Sequence, residues 1–71
     1  MIEVTGYVEV EGFWFHDTYV LNVKKNVLTG YKMLEAVEKE LSTEEFNEFV
    51  VDWYLPMKKI CNEIVWSYKE D

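Results

Sequence analysis

Arginine is absent from this 71-residue chain, and seven lysines face fourteen carboxylates, which leaves a formal net charge of −7. Nucleic-acid binders draw most of their affinity from Lys and Arg placed on phosphates, so this balance excludes direct nucleic-acid binding. An anionic membrane surface would repel the chain as well. Cysteine is reduced to Cys61, which excludes an internal disulfide and a multi-cysteine metal site and fits a reducing compartment. The single histidine, His16, lies in an aromatic segment far in sequence from Ser42, Ser67 and Cys61, so no nucleophile has an evident base. Three glycines, Gly6, Gly12 and Gly30, match no phosphate-cradling spacing, and no calcium-loop pattern of alternating acids around a glycine occurs. These gaps predict a protein that is not an enzyme and uses no cofactor or metal. No apolar run is long enough to cross a bilayer and no charged-then-apolar leader opens the sequence, so the expected location is cytoplasmic.

What remains is strongly apolar. Hydrophobic residues make up 49% and aromatic residues 17%, well beyond what a disordered acidic tail carries. The length fits one domain, residues 1–71, near the lower limit for a single core. Domains this small compensate with disulfides, metals or self-association, and self-association is the route left open here.

Ile2, Val4, Val8 and Val10 alternate with Glu3, Thr5, Tyr7 and Glu9, the pattern of a half-buried strand. Glu11-Gly12 supplies a turn, and Phe13 to Val23 is rich in aromatic and β-branched residues suited to a second strand. His16-Asp17 offers a second place to reverse, which would change the register or add a third short strand. The second strand is apolar on both sides, with Phe13, Phe15, Tyr19, Leu21 and Val23 on one and Trp14 and Val20 on the other. Either helices wrap both faces or an aromatic face is buried in a homodimer; the dimer is the favoured expectation.

Beyond Lys24-Lys25-Asn26 the period changes. Tyr31, Leu34, Val37 and Leu41 recur at helical spacing, and Ser42-Thr43-Glu44-Glu45 has the form of a capping box opening a second helix. Phe46, Phe49, Val50 and Trp53 give that helix a buried face, and Pro56 predicts an end or kink because it lacks an N–H and disfavours helical geometry at Leu55. Met57, Ile60, Cys61, Ile64, Val65 and Tyr68 again follow helical spacing, predicting a third helix nearly continuous with the second, with Pro56 acceptable in its first turn. The expected fold class is α+β: an N-terminal antiparallel β-hairpin packed with two or three α-helices.

The carboxylates cluster. Between Glu35 and Asp52 stand Glu38, Glu40, Glu44, Glu45 and Glu48 against Lys39 alone. Glu44, Glu48 and Asp52 fall four residues apart, about 6 Å of helical rise each, a like-charge arrangement that costs a few tenths of a kcal/mol per pair. A row of anions at such spacing is similar to a nucleic-acid backbone. Acids also keep small proteins soluble, and that plainer role competes with recognition. The candidate binding array is Glu35, Glu38, Glu44, Glu45, Glu48 and Asp52, with Glu9, Glu11 and Asp17 as additions.

In length, acidity and mixed strand-and-helix pattern, the chain resembles the small acidic bacteriophage host-takeover proteins that act as DNA mimics. Inhibitors of the bacterial histone-like protein HU are the members nearest in size and charge. The resemblance spans the chain in composition and carries no aligned motif. It implies a homodimer in the host cytoplasm whose carboxylates occupy the DNA-binding surface of a basic host protein. Three other classes stay open: an inhibitor of RNA polymerase, a nuclease or a CRISPR effector that relies on apolar contacts, a structural or subunit protein with a solubilising surface, and an enzyme, which would need a pocket joining His16 to Cys61 or a serine.

Overall fold

The computed structural model describes residues 1–24, 26–27 and 32–68. Ile2–Val10 forms β1 and Phe13–Leu21 forms β2, joined through Glu11 and Gly12, whose φ angles are 51° and 84°. Two positive φ values give the type I′ turn, whose twist matches the flanking strands. Pairing runs in one register from Ile2 opposite Leu21 to Val10 opposite Phe13, and β2 passes through His16-Asp17 without a second reversal.

The C-terminal segment departs from expectation. Helix stops at Ile60, and Glu63–Tyr68 is a strand, β3, antiparallel to β1 on its other side. The sheet order is β2-β1-β3. Ile64, Trp66 and Tyr68 satisfy a period of two as well as the helical one, and a short apolar run cannot separate the readings. A two-stranded hairpin is marginal alone, so pairing the open side of β1 decides the outcome. Asn62 N–H donates to the Tyr7 carbonyl at 2.9 Å, and Ser67 Oγ donates to the Glu3 carbonyl at 3.3 Å, which fixes that edge.

Met33–Glu40 forms α1, with Val37 buried; Tyr31 of the expected stripe lies outside the described residues. Thr43–Phe49 forms α2, a π-helical turn follows at Val50–Tyr54, and Leu55–Ile60 forms α3 without a break in the chain's helical course. Pro56 sits in the first turn of α3, as expected, but Leu55 before it is helical, with φ −65° and ψ −44°. The π turn explains this. Leu55 N–H bonds the Val50 carbonyl five residues back, and the wider coil absorbs the proline ring's demand for room.

The helices cover one face of the sheet. Ile2, Val4 and Leu21 bury against Val37, Phe49, Trp53 and Met57. Phe49 stands at the centre of an aromatic group, with ring centroids 5.2 Å from Tyr19, 5.8 Å from Trp53 and Tyr54, and 6.2 Å from Trp66. Among the described residues no helix is long and apolar enough to cross a membrane.

Gly6 is buried where the end of α3 crosses β1. A Cβ there would lie 2.6 Å from Met57 Cε and 2.8 Å from Cys61 Sγ. Gly6→Ala is expected to destabilise by about 1–3 kcal/mol through overpacking. Combining it with Cys61→Ala should recover part of the loss in urea unfolding, because one of the two colliding atoms is gone. A Gly6→Ala protein as stable as the wild type would show that α3 does not sit tightly on β1.

Candidate acidic binding surface

Ser42 opens α2 as a capping residue. Its Oγ accepts the Glu45 N–H at 3.2 Å and donates to Glu45 Oε1 at 2.8 Å. The glutamate thus returns to the serine hydroxyl, where the usual box uses the serine backbone N–H. Glu44 and Glu45 occupy the first turn of α2, while Lys58 and Lys59 occupy the last turn of α3. Both placements complement the helix dipole.

Beyond the first turn, the buried stripe sets the geometry. Phe49, Trp53 and Met57 recur at intervals of four and are buried, the stripe that one helical face presents to a core. Glu48 precedes Phe49 and Asp52 precedes Trp53, so the row Glu44, Glu48, Asp52 runs alongside the buried stripe. All three are exposed. Residues four apart lie on one helical face, so Asp52 continues the line of Glu44 and Glu48.

Glu45 and Glu48 also reach the sheet. With Leu41 and Tyr19, Val20, Leu21 and Asn22 they line a cleft of about 150 Å³ at the outer edge of β2. Sequence reasoning missed this cleft, since it joins two segments, residues 19–22 and 41–48, that are distant in sequence. On α1, Glu38 is exposed and Glu35 makes an exposed ion pair with Lys32 at 3.6 Å, an arrangement worth a few tenths of a kcal/mol.

The hairpin acids form no extension of that row. Glu9 stands opposite Trp14, six residues and about 20 Å along β2 from Val20, and Glu11 lies in the turn beyond. Glu9 is on the face away from the helices, whereas Asp17, opposite Gly6, is on the helix side. Asp17 Oδ1 accepts the Thr18 N–H at 3.0 Å. Burial pushes the Cys61 thiol up from its ordinary pKa, and the Asp17 charge adds to the effect, so Cys61 is held as a thiol, not a reactive thiolate.

The hairpin tip is the other prominent surface. Phe13, Trp14 and Phe15 are 71%, 63% and 56% exposed, and Val10 is exposed beside them. β3 pairs with β1 only as far as Tyr7, opposite Glu63, so the hairpin projects beyond its third strand. On the face away from the helices, Tyr7 and His16 rings lie 6.0 Å apart and the Thr5 and Thr18 hydroxyls 3.2 Å apart. Among the described residues no three His, Cys, Asp or Glu side chains gather as a metal site.

Comparison with known proteins finds no family model, curated protein or solved structure that matches this chain.

Proposed function

We propose that this protein is a non-enzymatic inhibitor that occupies the DNA-binding surface of a basic protein, of the kind represented by an HU-like nucleoid protein of a bacterial host. One observation carries the reading: Glu44, Glu48 and Asp52 stand in an exposed row along a single helical rod, with Glu45 beside the first of them and Glu38 exposed on α1. Their carboxylates would take the places of phosphates against lysines and arginines of the partner. Competition would then be steric and electrostatic, with no covalent step.

Fluorescence anisotropy of a labelled duplex bound to an HU-like protein provides the test. Added inhibitor is expected to release the duplex, and its apparent affinity should fall at least about 10-fold as salt shortens the screening length from roughly 30 Å toward 8 Å. Failure to displace DNA at low salt would refute the reading.

A second reading follows from the exposed Phe13, Trp14 and Phe15. Aromatic residues concentrate in the cores of protein contacts, so the tip suits an inhibitor that docks by apolar burial on a polymerase, nuclease or CRISPR effector. Binding of that kind would persist across the same salt series.

A further inference from the structure

We infer that this chain forms a two-fold dimer through the outer edge of β2, in which the aromatic tip of each copy seats against the cleft of the other. The inference stands apart from the identity of any target.

The hydrogen-bond pattern defines the edge. Carbonyls of Glu3 and Tyr7 serve β3, so these residues of β1 turn their backbone groups away from β2. Their neighbours on β2, Val20 and His16, accordingly present N–H and C=O groups to the outside, as do Thr18 and Trp14 by the same alternation. Thr18 shows it directly, since its amide is taken by the Asp17 side chain. Among the described residues no strand pairs with this edge. Natural sheets shield a long edge with lysine, proline, a bulge or brevity. β2 has nine residues, no lysine and no proline, and Asp17 is its one carboxylate.

A second copy of β2 is the occupant that fits. An antiparallel two-fold pairing brings each strand's start against the other strand's end, and those ends are complementary: Phe13 and Phe15 project at one, while the cleft beside Tyr19, Leu21 and Leu41 opens at the other. Such a contact is isologous and closes on itself. The register follows from charge and parity. Centring on Asp17 would set two carboxylates face to face, which destabilises a pair. Centring on Thr18 sets Thr18 opposite Thr18, His16 opposite Val20, Asp17 opposite Tyr19 and Phe15 opposite Leu21. The Thr18 amide then exchanges the Asp17 carboxylate for the partner's carbonyl, and the two sheets become one of six strands.

The area suffices. At 150–250 Å² per aromatic side chain, the exposed fractions of Phe13 and Phe15, which share the helix side with the cleft, offer roughly 200–300 Å² per copy toward the ~800 Å² per partner of a standard interface; Trp14, on the other face, Val20 and the strand backbone add to it. Charge opposes the assembly. Each copy carries −7, and Asp17 of one copy approaches the Glu45 and Glu48 side of the other. Screening should relieve that repulsion, so dimerisation should tighten with salt, opposite to the salt response of binding to a basic target.

Sedimentation equilibrium tests the proposal. The expected mass is twice the 8.5 kDa of the chain, with affinity rising as salt rises. Val20→Lys and Phe15→Glu, both at exposed positions, are each expected to weaken the dimer at least about 30-fold while leaving circular dichroism and monomer melting unchanged. In a Cys61→Ala background, Thr18→Cys should oxidise to a linked dimer, since hydrogen-bonded pairs place Cα atoms about 5.5 Å apart, within disulfide reach. Asp17→Cys should not. A monomer at every concentration, a dimer indifferent to Val20→Lys and Phe15→Glu, or one that loosens with salt would overturn the inference.

Discussion

Phe49→Ala is expected to abolish the cooperative thermal transition at physiological temperature. Phe49 is 1% exposed and meets Tyr19, Trp53, Tyr54 and Trp66, so truncation removes one ring and strands four neighbours around a cavity. Buried Phe→Ala changes cost about 3–5 kcal/mol. A 71-residue domain holds on the order of 3–10 kcal/mol in total, with small cores toward the lower end. Phe49→Leu keeps most of the volume and should cost less than about 1.5–2 kcal/mol, preserving a cooperative transition. Melting followed by far-UV circular dichroism checks both. An alanine variant that melts within about 5 °C of the wild type would mean that this aromatic group is not the centre of the core.

The second large effect belongs to the acidic row. Reversing Glu44, Glu48 and Asp52 together to lysine should weaken competition with DNA for the basic partner by about 100-fold or more, taking on the order of 1 kcal/mol or more from each close charge pair. The three side chains are exposed, so the fold should survive, with a loss of about 0.3–1 kcal/mol from a cation at position 44 near the positive end of the helix dipole. Reversing Glu9 and Glu11, about 20 Å away along the hairpin, should change competition less than threefold. Equal losses from the two sets would show that net charge alone governs binding. Undiminished competition by the triple variant with an intact fold would remove the row from the interface.

The hairpin was legible because a strand's period of two leaves little freedom: Ile2, Val4 and Val10 share a parity, and Glu11-Gly12 is where that parity must reverse. The capping box at Ser42 was legible for a similar reason, since serine and Glu45 stand at the spacing that the first helical turn requires. The segment at residues 63–68 was not. Its apolar residues satisfy two periods, and the deciding term is the open side of β1, sixty residues away in sequence. Pro56 was half legible: its place in the first turn of a nearly continuous third helix was expected, but helical geometry at Leu55 was not. A local rule against helix at Leu55 was overridden by the π turn, which leaves no simple sequence mark. Of the candidate acids, the helical row followed from local spacing. The separation of Glu9 and Glu11 from it, and the placement of Asp17 on the opposite side of the sheet from Glu9, depend on how the hairpin lies against the helices.

Because β1 is the central strand, its two pairings are completed at very different moments of synthesis. Its partner β2 leaves the ribosome almost immediately after it, but Glu3 meets Ser67 only across 64 residues. Until that late segment emerges, the nascent chain carries a hairpin open along both margins, with Trp66 not yet in place beside Phe49 and Tyr54.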